Sequence, residues 1–147
     1  MTTVATSAAP QAEHRQYEPT PFAPRHARAF VDDLLDRWEW PGARAIAALL
    51  TSELVTDALR QVPAAIGLQI ELTGETVRVE VSDEPGLIAD ASAGHLERQV
   101  ARQLLENLAR DWGSDLDRRR TTTWFSIGTD GPVYDPSSLG DIDLKLA

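Results

Sequence analysis

Two short runs on either side of "TGE" at residues 73–75 constrain this chain more than anything else in it. Leu68, Ile70 and Leu72 alternate with polar residues before the break, and Val77, Val79 and Val81 alternate with polar residues after it. A period of two sends successive side chains to opposite faces of an extended chain. Each run therefore has one apolar face, and a short break containing glycine folds one run back on the other. The expectation is an antiparallel hairpin with a single covered face, for which the rest of the chain must supply a second layer.

The residues before the hairpin carry the pattern of that layer. Phe30, Val31, Leu34, Leu35 and Trp38 recur at helical spacing and "WPG" at 40–42 ends the run, which predicts a first helix over about 25–38. Ile46, Leu49, Leu50, Leu54, Ala58 and Leu59 repeat the signal, predicting a second helix over about 43–60. Downstream, Leu96, Val100, Leu104, Leu108 and Trp112 recur every fourth residue, marking a third helix with Gly113 as its cap. "RRRTTTWFSIG" (118–128) is β-branched and aromatic and reads as a further strand, with Thr122, Trp124 and Ser126 on one face and Thr123, Phe125 and Ile127 on the other. This order predicts an α+β, two-layer sandwich: a mostly antiparallel sheet covered on one face by about three helices.

The flanks have neither period. Residues 1–24 read as a flexible leader, 25–128 as the domain, and 129–147 as an acidic, turn-rich C-terminal tail. At 147 residues and 42% hydrophobic content the chain suits one core of ordinary size. A formal net charge of −9 argues against nucleic acid or an anionic membrane as partner and favours a protein or a small ligand. There are no cysteines and three histidines, His14, His26 and His95, so a metal would enter through carboxylates, which suits magnesium better than zinc. No apolar run approaches the roughly eighteen residues of a membrane span, and no signal peptide is evident, so the expected location is the cytoplasm. Signatures of a nucleophile elbow, a phosphate-binding Walker loop or a His–Glu–x–x–His zinc helix are absent.

Two places in the pattern ask for chemistry. Glu53 and Asp57 stand one helical turn apart in "SELVTDALRQ", where two like charges share a face and repel unless they line a cleft, bind a cation, meet a base or lie on a solvated edge. Asp83 ends the valine strand where the chain leaves the sheet for "DEPGLIADASAG", as a ligand contact or as a cap of its own loop. Arg118–Arg120 read as solvated surface paired locally with Asp115 or Asp117. Trp38, Trp112 and Trp124 read as core, leaving Trp40 as a contact residue.

Taken in order, "ARAFVDDLLDRW", "ALLTSELVTDAL", "TVRVEVSDEPG", "LLENLARDWG" and "TTTWFSI" resemble the small single-domain branch of the GHKL (Bergerat-fold) ATPases, that of bacterial anti-sigma-factor serine kinases and related ATP-binding regulators. The resemblance implies that Glu53 orients or deprotonates the attacking group and that Asp57 stands where the family has a magnesium-holding Asn. It further implies that Asp83 meets the adenine amino group, with Gly86 in the following loop and Thr122 on the last strand completing the nucleotide set.

Three departures from the family pattern change the expectation. Asp57 adds a second negative charge toward a triphosphate. "DEPGL" replaces the glycine-rich segment after Asp83, with Pro85 lacking an amide donor. Val100, Ala101, Arg102 and Gln103 stand where the family opens its third helix with glycines whose amides cradle phosphate. A helix running through that position spends its amides on its own carbonyls. Arg98 or Arg102 could then reach Glu53 and Asp57 as an internal ion pair.

The resulting expectation is a protein-binding regulator with weak or no Mg-ATP binding that docks a sigma factor or an anti-anti-sigma (STAS-domain) protein, a homodimer being open. The alternative is an active ATP-dependent serine kinase with Glu53 as base, Asp57 on magnesium, Asp83 on adenine and Arg102 replacing the cradle. A third reading is a structural subunit whose tails carry its contacts.

Overall fold

The hairpin forms. Strands β2 (Ala65–Thr73) and β3 (Thr76–Glu84) pair antiparallel with Leu68 opposite Val81, Ile70 opposite Val79 and Leu72 opposite Val77. Gly74 takes a φ of 60° at the first position of the two-residue turn, a conformation that side-chain-bearing residues rarely adopt.

The computed structural model describes residues 11–61, 63–84, 95–117 and 120–128, with side chains throughout that set except at 41, 43 and 95–100. Around the hairpin lie β1 (Gln11–Tyr17), α1 (Ala23–Arg37), α2 (Pro41–Leu59), α3 (His95–Leu108), β4 (Asp111–Asp117) and β5 (Arg120–Gly128). The strands make one sheet in the order β1-β2-β3-β5-β4, every neighbouring pair antiparallel. The architecture is thus α+β in two layers, with three helices over a five-stranded sheet.

Between the layers lies one core. Ile66, Leu68, Ile70, Val77, Val79, Val81, Phe125 and Ile127 of the sheet are buried against Val31, Leu34, Leu35, Ile46, Leu50, Leu54, Val55, Leu104 and Leu105 of the helices. The central element is α2, which touches α1, α3 and strands β2, β3 and β5. Its Ala47, Ala48 and Ala58 are buried as well as its large residues, because small side chains let a helix with neighbours on several sides approach all of them. No helix among the described residues is long and apolar enough to cross a membrane.

Three elements differ from the sequence reading. Residues 11–17, inside the expected leader, form β1 against β2, with Gln11 opposite Leu72 and Tyr17 opposite Ile66. Every residue of β1 except Tyr17 is exposed, so no hydrophobic period marked the strand. Second, α3 stops at Leu108 and does not reach Trp112; Trp112 and Gly113 belong to β4. Gly113 caps nothing: it lies opposite Trp124, and a Cβ there would meet the indole at 2.8 Å. Third, Trp40 is packed on the core. Its amide donates to the Leu35 carbonyl at 2.9 Å while the Glu39 amide donates to Asp36 at 3.1 Å. These two bonds close α1 in a Schellman motif whose left-handed position, φ 59°, holds Glu39 where glycine is usual.

Two stability predictions follow from these termini. Glu39→Gly relieves the left-handed strain at the end of α1 and should stabilise the fold by about 0.5–1 kcal/mol in denaturant melts. Burial raises the Tyr17 phenol above its ordinary value of 10.0, with Arg15 partly opposing. The native state therefore holds the neutral phenol, whose contribution is complete below pH 10 and is lost as pH rises through the native value. Tyr17→Phe should flatten that part of the alkaline loss in melts recorded between pH 9 and 12.

Candidate functional site

Residues 60–64 join the end of α2 to the start of β2, and the Ala64 amide donates to the Glu84 carbonyl at 2.9 Å. This short connection sets the last turn of α2, which carries Asp57, at the same end of the domain as the last residues of β3, which carry Asp83. Glu53 lies one turn earlier on α2 and, like Asp57, is half-buried; one carboxylate oxygen of Asp57 is sealed from solvent. The hydroxyls that precede each of them, Ser52 and Thr56, are folded back on the helix. Ser52 donates to the Leu49 carbonyl at 2.9 Å and Thr56 to the Ser52 carbonyl at 2.7 Å.

Asp83 is 5% exposed and faces the helix layer, on the same side of β3 as Val77, Val79 and Val81. The paired backbone of β3 and β5 ends at Ser82 and Thr122. One position further on, the Asp83 carboxylate accepts the Thr121 amide at 2.7 Å. A side-chain oxygen thus takes the place of the next ladder carbonyl and extends the joint between the two central strands by one rung. Directly beyond it, on the opposite face, Arg120 pairs with Glu84 and not with Asp115 or Asp117.

Two residues assigned to a nucleotide site lie elsewhere. Thr122 faces away from the helices, in the register of Ser82 and Asp115 and beside Glu80 and Trp124. The sheet itself separates it from Asp83. Its neighbours Thr121 and Thr123 are the ones that share the helix-covered face, as strict alternation from Phe125 requires. Arg102 does not fill a gap beside Glu53 and Asp57. Its side chain is 68% exposed, pairs with Glu106 at 3.9 Å and lies with its guanidinium 5.5 Å from the Trp112 ring centroid. Ala101, Leu104 and Leu105 occupy the inward side of α3, so Arg102 is turned outward.

The arrangement expected at Glu53 and Asp57 occurs on α1. Asp32 and Asp36, one turn apart, are both met by Arg44 of α2, whose guanidinium donates to Asp32 at 2.7 Å and to Asp36 at 2.9 Å. The Asp32 hydrogen bond, foremost, holds the Arg44 guanidinium above its ordinary pKa.

α3 runs unbroken from His95 to Leu108, so the amides at 100–103 lie inside a helical ladder. Gly86 and the side chain of Arg98 fall outside the described residues. Among the described residues no three His, Asp or Glu side chains converge to hold a metal ion.

The outer face holds what the sequence reading missed. Trp124 is not core: it lies on the uncovered side of β5, over Gly113, with the Arg78 guanidinium 4.3 Å from its ring centroid. Arg78, Glu80, Asp115, Arg120 and Trp124 line a shallow cleft of about 560 Å³ there. Its polar neighbours Thr122 and Ser126, two residues away on each side, were the signal for that orientation.

No protein-family model matches the chain, and a search of curated proteins found none similar to it.

The Asp83 bond makes a measurable distinction between anchoring and ligand binding. Asp83→Ala strands the Thr121 amide and should cost about 1–3 kcal/mol, with faster hydrogen exchange at Thr121. Asp83→Asn keeps an acceptor oxygen and should cost less than about 1 kcal/mol.

Proposed function

We propose that this chain is a regulatory protein-docking module of the anti-sigma-factor type, acting on its partner by binding, with Mg-ATP bound weakly or not at all. The observation that carries this reading is the unbroken α3: amides committed to a helical ladder through 100–103 are not free to cradle phosphate. The Asp83 carboxylate supports it, since one of its oxygens is engaged by the Thr121 amide. The partner in this reading is a sigma factor or a STAS-type anti-anti-sigma protein in the cytoplasm. A net charge of −9 favours a basic partner, because complementary charge speeds encounter.

The second reading is an ATP-dependent serine kinase, with Glu53 as base, Asp57 on magnesium and Asp83 toward adenine. It draws on the short connection that sets Asp57 and Asp83 at one end of the domain.

Calorimetric titration with Mg-ATP and Mg-ADP separates the two. The docking-module reading expects no saturable heat at micromolar nucleotide. Magnesium-dependent micromolar affinity that disappears in Asp83→Asn would replace it with the kinase reading.

A further inference from the structure

The strand β1 forms one edge of the sheet, and among the described residues it pairs only with β2. Every residue of β1 but Tyr17 is exposed, so the strand is held extended with almost no side-chain burial. Its outward backbone N–H and C=O groups are a template for a further strand.

The charges along this edge are arranged about His14. Glu13 and Arg15 flank it and both lie on the helix side of the sheet, in register with Ile70 and Leu68 of β2. Those neighbours are apolar, so the sheet sets no counter-ion directly opposite either charge. Among the described residues neither forms an ion pair. Arg15 lies instead over the half-buried Phe30 ring of α1, 4.7 Å from its centroid. A row of one sign guards an edge against pairing; here the sign changes across a single residue.

We propose that β1 is a homodimer edge, at which two copies of the chain join their β1 strands antiparallel about a two-fold axis through His14. The two sheets become one, with both helix layers on the same side.

The strand itself names the occupant and the register. Outward backbone groups occur on alternate residues, and in an antiparallel ladder such residues face one another. A two-fold axis between two copies of one strand therefore passes through a residue and not between residues. Centred on Glu13 it sets carboxylate against carboxylate, and centred on Arg15 it sets guanidinium against guanidinium. Like charges directly opposite destabilise a strand pair, whereas opposite charges stabilise it. Centred on His14, Glu13 of each copy meets Arg15 of the other, Ala12 faces Gln16 and Gln11 faces Tyr17, so all seven residues of the strand are paired. The next charge along the chain, Glu18, lies beyond them. A net charge of −9 on each copy opposes approach at long range, but physiological salt screens that repulsion far more than it screens charges in contact. This dimer goes beyond the docking-module reading, since it needs neither nucleotide nor a sigma factor.

Sedimentation velocity of the full chain, at pH 8 in physiological salt, should show a dimer at micromolar concentration. Glu13→Arg sets arginine against arginine at both contacts, and Arg15→Glu sets glutamate against glutamate. Each variant alone should raise the dissociation constant tenfold or more. In an equimolar mixture of the two variants every contact again joins opposite charges, and the dimer should return. Unchanged β3 and β5 amides in the spectra of each variant show that the fold is kept. In the parent chain, the amides of 11–17 that do not donate to β2 should gain hydrogen-exchange protection as protein concentration rises; if either variant loses its fold, this measurement decides.

A chain that stays monomeric at every concentration overturns the proposal. So does a dimer that both variants leave intact, a mixture of folded variants that fails to recover, or exchange in β1 that is indifferent to concentration. Loss of the dimer in this way leaves the docking-module reading standing. Tight Mg-ATP binding by an intact dimer removes that reading and leaves the edge.

Discussion

Burial of one face of the β2–β3 hairpin is the interaction on which the other elements depend. Ile66, Leu68, Ile70, Val77, Val79 and Val81 form a continuous apolar surface only if a second layer closes over it, and α2 is the element that does so. Once α2 is committed to the sheet, α1 and α3 can pack only at its flanks. The Arg44 contacts to Asp32 and Asp36 then hold α1 beside the start of α2. Those side chains are partly solvated, so they favour an orientation more than they add stability; the apolar contact carries the energy.

The same commitment explains the character of the acidic end. With its buried side given to the sheet, α2 keeps Glu53 and Asp57 half-buried at its border. There they share an end of the domain with an aspartate whose carboxylate serves the sheet. A side chain that completes a ladder is a structural component as well as a potential ligand contact. In this fold one of the two Asp83 oxygens is committed to the Thr121 amide.

How much could be read beforehand depended on whether a residue's surroundings were local. The hairpin, α1 and α2 were legible because Leu68, Val79, Leu34 and Leu50 repeat with the period of their own element. β1 was not, since an edge strand exposed on nearly every residue has no apolar period to display. β4 was hidden because Trp112 falls four residues after Leu108, a spacing that extends a helix on paper while the chain has already turned. At the site, Asp83 was marked by its place at the end of a strand, yet its tie to Thr121 links residues far apart in sequence. The solution of one arginine spanning two acids a turn apart was foreseen for Glu53 and Asp57 with Arg102; the chain uses it at Asp32 and Asp36 with Arg44, because which helix faces offer acid to base is set by packing and not by spacing. Thr122 could have been placed correctly from alternation alone, since Phe125 fixes which side faces the core.

The stack of Arg78, Trp124 and Gly113 has an optical consequence. Trp38, Trp40 and Trp112 are packed against the core, whereas Trp124 lies on the outer face in contact with the backbone of β4. Its indole lies over Gly113 of β4 and is covered by the Arg78 guanidinium of β3. Of the four tryptophans it is the one outside the core, so the difference between the emission of the parent chain and that of Trp124→Phe isolates the indole on the outer face.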